Sequence, residues 1–232
     1  MAGLTREQEL AERLVEVRER LAAACRAAGR DPGGVHLVAV TKTWPVSDAA
    51  LLRGLGVLDL AENRDGEARQ KAALVTGVRW HFVGAVQTNK ARSVASYADV
   101  VHSLDRPALV AALAAGAVRA GRTVEVLVQV SLDADPARGG AVADDVPALA
   151  DAVAAADGLR LGGVMAVAPL GMEPAAAFAM LAGVAGRVRA GHPGADTISA
   201  GMSGDLEQAV AAGATHVRVG TALLGPRGPL LG

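Results

Sequence analysis

The sequence predicts an α/β protein, a single (β/α)8 TIM barrel with an extra N-terminal helix. Three observations carry the prediction: strand-like and helix-like segments alternate strictly, the joints between them are short and marked by Gly, and eight such units fit into roughly 200 residues. Alternation implies parallel strands joined by right-handed crossovers. Eight units favour closure over an open doubly wound sheet, the alternative that periodicity leaves standing. No linker or charge block divides the chain, so residues 1–232 read as one domain.

In chain order, Thr5 can cap a helix over 5–28, with Gln8 as its capping-box partner and Leu10, Leu14, Val17, Leu21 and Cys25 as one apolar stripe. Gly29 and the turn Asp31-Pro32-Gly33-Gly34 end it. Short apolar runs then predict strands at 36–41, 58–61, 79–84, 100–103, 123–131, 159–168, 197–200 and 216–220. Helical patterns fill the gaps at 47–55, 66–74, 89–97, 106–120, 143–156, 173–190 and 205–212. The Ala-rich stretches 111–120 and 150–156 read as helices, because Ala is the best helix former.

Composition excludes several classes of function. Hydrophobic residues are 51% and charged residues 20%, which excludes a disordered chain. A formal net charge of −1 excludes a partner held mainly by phosphate-backbone charge. The single Cys25 excludes an internal disulfide framework and a Cys-rich zinc site, and fits a reducing cytosol. Residues 1–21 are charged and helix-periodic without a signal-peptide apolar block, and no apolar run reaches the roughly 20 residues that span a bilayer. The expectation is a cytoplasmic protein with no nucleic-acid or membrane partner. One bias stands out: 20 Arg and 51 Ala accompany only three Lys, at 42, 71 and 90. A sequence that replaces Lys so freely points to the lysines that remain.

In such a barrel the functional groups gather at the C-terminal ends of the strands. Lys42 closely follows the apolar run Val38-Ala39-Val40, where packing would desolvate its ammonium and free a neutral amine nucleophile. A primary amine can form a Schiff base and Arg cannot, which weakens the alternative of a surface lysine. Lys71, in a polar helical stretch, reads as surface; Lys90, at a helix start, fits an anion-binding role. Gly201-Met202-Ser203-Gly204-Asp205 after the seventh strand and Gly220-Thr221 after the eighth suggest a phosphate site, with helix capping by Ser203 or Asp205 as the plainer reading. Arg218 sits mid-strand and needs a partner, with an internal salt bridge to Glu62 or Asp105 as the alternative to a ligand. His81, His102 and Asp105 match no compact metal motif and read as satisfied barrel residues. No metal ligands are expected.

Eight motifs in order carry a resemblance. They are Leu37-Val38-Ala39-Val40-Thr41-Lys42-Thr43, Ala61-Glu62-Asn63, Trp80-His81-Phe82-Val83-Gly84, Gln87-Thr88-Asn89-Lys90, Val101-His102-Ser103-Leu104-Asp105, Gly163-Val164-Met165-Ala166, Gly201-Met202-Ser203 and Val217-Arg218-Val219-Gly220-Thr221-Ala222. Together, over about 5–225, they resemble the YggS/PROSC family of pyridoxal phosphate homeostasis proteins, whose barrel is like the N-terminal domain of alanine racemase. The resemblance implies pyridoxal 5'-phosphate as cofactor, with an internal aldimine at Lys42. It implies phosphate contacts from Ser203, Gly220 and Thr221, Arg218 facing the pyridine nitrogen, and Asn63 and Met165 lining the site. It also implies client enzymes that use the cofactor, and a monomer. This chain departs from the family at Arg64, at Ala85 and in the loop Ala137-Arg138-Gly139-Gly140, all at the site rim.

An Arg against the ring nitrogen favours the unprotonated ring and weakens it as an electron sink. Racemisation also needs a base on each face, which in fold relatives that racemise is in part a Tyr from a second domain. The only Tyr here, Tyr97, precedes the fourth strand at the far end of the barrel. A carrier of the cofactor without robust catalysis, and hence without catalytic residues, is therefore the first expectation. A weak amino-acid racemase is the second, and a cofactor-free Schiff-base aldolase acting on a phosphorylated sugar the third.

Overall fold

The structure, a computed structural model, describes residues 3–133, 135 and 138–226. Helix α1 (Arg6–Ala27) precedes β1 (His36–Val40), and strand and helix then alternate: α2 (Val46–Gly54), β2 (Asp59–Glu62), α3 (Asp65–Leu74), β3 (Arg79–Phe82), α4 (Ala91–Tyr97), β4 (Val100–Leu104), α5 (Pro107–Arg119) and β5 (Val124–Gln129). The second half runs α6 (Val146–Ala154), β6 (Leu159–Met165), α7 (Pro174–Gly191), β7 (Thr197–Ser199), α8 (Leu206–Ala211), β8 (His216–Val219) and a short α9 (Thr221–Leu224). All eight strands are parallel and close in chain order, β1 pairing with β2 on one side and β8 on the other. The open-sheet alternative is thereby excluded. Among the described residues no helix is long and apolar enough to cross a membrane.

Helix α1 forms as its sequence dictates. Thr5 accepts a bond from the Gln8 amide while the Gln8 side chain accepts from the Thr5 amide, completing the capping box. Its stripe Leu10, Leu14, Val17, Leu21 and Cys25 is buried with Leu206 and Val210 of α8 and Leu223 and Leu224 of α9. At about 1.5–3 kcal/mol for each large buried side chain, that stripe fixes α1 to the barrel wall behind the last two strands. The wall there carries the loops after β7 and β8.

The lumen is unusually polar. His102 of β4 and Ser199 of β7 are bonded at 2.9 Å although their strands are not neighbours, so the contact crosses the barrel interior. His81, His102, Ser199 and Arg218 are all buried, beside a small apolar cluster of Val100, Leu127 and Met165. His216 stacks on His36 with ring centroids 4.8 Å apart.

Burial, reinforced by His81 and His36 and opposed by Asp59, pushes His216 down to about 3. Burial, then the charges of His81 and Arg218, holds His102 well below the ordinary histidine value. Both are therefore neutral in the fold, whereas the unfolded chain takes up protons below about pH 6.5. Stability is full above that value and falls as the pH drops beneath it. At pH 5 His216 alone should cost about 2 kcal/mol, with His102 adding in the same direction. Urea unfolding at pH 7, 6 and 5 measures this; an unchanged midpoint would contradict it.

Candidate functional site

The chain makes a tight turn as it leaves β1. Thr41 donates its hydroxyl to Glu62 Oε1 at 2.7 Å, Lys42 follows half-buried, and Thr43 adopts a positive φ of 69°. That conformation is costly for a β-branched residue, about 1–3 kcal/mol. It is held from both sides: the Thr43 amide donates to Glu67 Oε2 at 3.1 Å, and the Trp44 amide donates to the Thr41 carbonyl at 3.1 Å. Below the turn, Lys71 Nζ donates to the Thr41 carbonyl at 2.8 Å and to Glu62 Oε1 at 2.5 Å. The expectation that Lys71 lies on the surface is thus corrected. It is buried, because α3 turns its Lys71 side inward over the buried Glu62 carboxylate.

Opposite this turn, the loop 201–205 after β7 is braced internally. The Met202 amide donates to Asp205 Oδ1 at 2.6 Å, and Ser203 Oγ accepts from the Ala222 amide at 3.3 Å. Neither Ser203 nor Asp205 caps α8 with its side chain; they tie the loop to itself and to α9. Arg20 of α1 adds an outer clamp, donating to the Ser203 carbonyl at 2.7 Å and to both oxygens of Glu207 at 2.6 and 2.7 Å.

Arg218 has no carboxylate partner among the described residues. Its Nη1 donates to Ser199 Oγ at 2.6 Å and its Nη2 to the Ala166 carbonyl at 2.9 Å. The alternative of a salt bridge to Glu62 or Asp105 is excluded, since Glu62 pairs with Lys71 and Asp105 with Arg106. Burial lowers Arg218 to about 10, partly offset by Asp205, which leaves it charged at neutral pH.

Between these elements, at the C-terminal ends of the strands, lies a cavity of about 360 Å³. Lys42, Asn63, Met165, Ser203, Arg218, Gly220 and Thr221 all line it, so the structure brings together the seven residues that the family resemblance implies for the site. Asn63 Oδ1 is buried there without a hydrogen-bond partner. Gly84 closes one wall where a side chain could not fit, since an added Cβ would stand 2.2 Å from the Asn63 carbonyl oxygen.

Other expected residues lie elsewhere. Lys90 is exposed and outside the cavity lining, as are Gln87, Thr88 and Asn89. Arg64 is exposed and bonded to Glu67, and Ala85 is exposed. Of the rim loop, Ala137 lies outside the described residues, while Arg138 donates to the Ala168 carbonyl at 3.1 Å. Sequence reasoning missed Trp44, Val83 and Val167 in the lining. Trp44 carried a signal, standing two residues after Lys42 in a chain with 2% aromatics; in the fold the Arg6 guanidinium lies 4.7 Å from its ring centroid.

Comparisons with known proteins place the chain in a family. The family described as alanine racemase, N-terminal domain, matches residues 13–228. A pyridoxal phosphate homeostasis protein of Mycobacterium tuberculosis (strain H37Rv) is 45% identical, over 96% of this chain and 94% of its own. One of Escherichia coli K12 is 36% identical, over 94% and 97%. The structure of PipY from Synechococcus elongatus PCC7942 with PLP bound superposes with a TM-score of 0.81 at 32% identity, covering 93% of this chain and all of that one. With near-complete coverage in each comparison, the chain belongs to the alanine racemase N-terminal-domain family, among its pyridoxal phosphate homeostasis proteins.

Proposed function

We propose that this chain binds pyridoxal 5'-phosphate (PLP) in the cavity at the C-terminal end of its barrel. There it holds the cofactor reversibly through Lys42 and serves intracellular PLP homeostasis as a carrier. The observation that carries the reading is the convergence of a lysine amine, a buried guanidinium and two hydroxyl-bearing loops on one cavity. About 360 Å³ is within the usual range for a small-molecule site. The unpartnered Asn63 Oδ1 fits a site that a polar ligand completes.

PLP supplies an aldehyde that condenses with a primary amine and releases water. Lys42 is the lysine in the lining, so it presents that amine. Ser203 and Thr221 offer hydroxyls, and Gly204 and Gly220 backbone that no side chain shields, to the phosphate. Arg218 is donor-only and charged, so it keeps a ring nitrogen beside it an acceptor and lessens the ring's electron withdrawal. Tyr97 is no use as a second base: it donates to Asp65 Oδ1 at 3.2 Å, and burial together with Asp65 pushes its hydroxyl well up. These features favour a carrier over a racemase. The same reading places the protein in the cytoplasm as a monomer, with PLP-dependent client enzymes as its partners.

Mixing the purified protein with PLP should produce a visible absorption band, and borohydride reduction should fix the cofactor mass on Lys42. No band, or label on Lys71 or Lys90 instead, would sink the reading. Turnover of D- or L-alanine by the pure protein would return it to catalysis.

The Arg20 clamp gives a further expected result. Its ion pair with Glu207 is largely exposed, so Arg20→Ala should cost no more than about 1 kcal/mol of stability. PLP affinity should nevertheless fall severalfold, because the Ser203 carbonyl loses its anchor. Titration of PLP beside a thermal melt separates the two, and unchanged affinity would show that the loop holds itself.

A further inference from the structure

A continuous chain of hydrogen bonds crosses the barrel from its floor to the cavity. At the top, Arg218 Nη1 donates to Ser199 Oγ at 2.6 Å. Ser199 Oγ lies 2.9 Å from His102 Nδ1, His102 Nε2 lies 2.8 Å from His81 Nδ1, and His81 Nε2 lies 2.9 Å from Asp59 Oδ1. Asp59 opens β2, at the N-terminal end of the barrel, with its side chain 18% exposed. Both histidines, Ser199 and Arg218 are buried.

The direction of every bond follows from the two ends. A guanidinium has donors only, so Ser199 Oγ accepts from Arg218. At the other end Asp59 Oδ1 only accepts, so His81 holds its proton on Nε2 and offers Nδ1 to His102, which leaves His102 Nδ1 to accept the serine proton. His102 therefore carries its proton on Nε2 and donates it to His81 Nδ1. His81, its Nδ1 occupied as an acceptor, carries its proton on Nε2 and donates it to Asp59, which as a carboxylate only accepts. Four bonds thus share one polarity, a cation at the top and an anion at the bottom, the arrangement in which neighbouring hydrogen bonds strengthen one another.

We infer that Asp59, His81, His102 and Ser199 form a one-way relay that holds Arg218 at the cavity, making Asp59 a positioning residue for a ligand it never touches. The relay supplies what Arg218 lacks, an anion: its own shell holds a hydroxyl and a carbonyl, and the compensating carboxylate lies three side chains away. Asp59 can serve because its other charged neighbour is Arg79; burial pushes it up, but the bond to His81 and the Arg79 charge hold it below its ordinary value. Without an acceptor at position 59, His81 is free to carry its proton on Nδ1. That reverses His102, so Ser199 Oγ accepts from both His102 and Arg218 and its own proton loses the His102 acceptor, which weakens the bond that holds Arg218. The consequence for PLP rests on the proposed function; the relay itself does not.

Nitrogen-15 NMR of the ligand-free protein reads the tautomers directly. Both His81 and His102 should carry a single proton, on Nε2; an Nδ1 proton on either, alone or as an imidazolium, overturns the relay. Asp59→Leu should give mixed tautomers, loss of the protected Arg218 guanidinium proton resonance, and about tenfold weaker PLP binding. Asp59→Asn, whose Oδ1 still accepts, should restore most of each. Should Asp59→Leu fail to fold, Ser199→Ala cuts the same relay from the other side and should release the Arg218 resonance alike. Retention of that resonance in these variants overturns the positioning role. Wild-type protein that shows the Nε2 tautomers but takes up no PLP sinks the reading of the cavity and leaves the relay standing, whereas PLP uptake with an Nδ1 tautomer does the reverse.

Discussion

Lys42→Arg should abolish the visible absorption of the PLP-loaded protein as completely as Lys42→Ala does. Arginine would keep the charge, the long apolar stem and the half-buried position beside the β1 turn, but a guanidinium does not condense with an aldehyde. If the lysine merely paired with the phosphate or filled space, the Arg variant would retain cofactor and the Ala variant would lose it. The two substitutions therefore separate chemistry from charge. Both should still bind PLP weakly through the loops at Ser203 and Thr221, with a dissociation constant raised by about two orders of magnitude, or about 2.7 kcal/mol. Equilibrium dialysis with spectrophotometry reads both quantities. Neither variant should lose much stability, because the turn is held by Thr41, Glu67 and Lys71 and none of those bonds uses the Lys42 side chain.

That Lys42 lines the cavity was legible in the sequence because the proposed constraint is chemical: where 20 cations are Arg, a Lys after a first strand is hard to explain by charge. The barrel was legible because strand and helix periods alternate without exception, and its element ends differ by only a few residues at most. Strands predicted at 123–131 and 159–168 stop earlier, at Gln129 and Met165, because an extended apolar run continues past the last ladder bond; Val130 already pairs with Ala141 instead. What crosses the lumen was not legible. Alternation tells which face a residue is on, not which strand it meets across the barrel. The pattern of β8 therefore leaves open a carboxylate partner for Arg218, whereas its side-chain partner in the fold is Ser199. Helix α9, four residues long, is too short to show a period.

Lys71 is the instructive miss, and it carries the largest expected effect on stability. Its helix reads as polar, with charged residues at 65, 67, 69 and 71, and no apolar stripe marks the inward face. Yet the lysine is buried against Glu62, whose side chain is fully buried and whose Oε2 has no partner. Lys71→Met would leave that carboxylate as an unpaired buried charge. The expected cost is about 3–5 kcal/mol, a fall in Tm of roughly 10 °C or more for a chain of this size, readable by calorimetry. Lys71→Arg should also destabilise, because the ammonium meets both the Thr41 carbonyl and Glu62 Oε1 as a compact point donor, an arrangement that a planar, fixed-fork guanidinium does not reproduce. The pairing of Glu62→Leu with Lys71→Met removes both charges and should recover much of the loss, since a buried ion pair contributes far less than breaking it costs. If the double variant were as unstable as Lys71→Met alone, the pair would be holding the Thr41 turn rather than neutralising a charge. Either way the second of the three lysines has a place of its own, buried between Glu62 and the Thr41 carbonyl, where it holds the turn beneath Lys42.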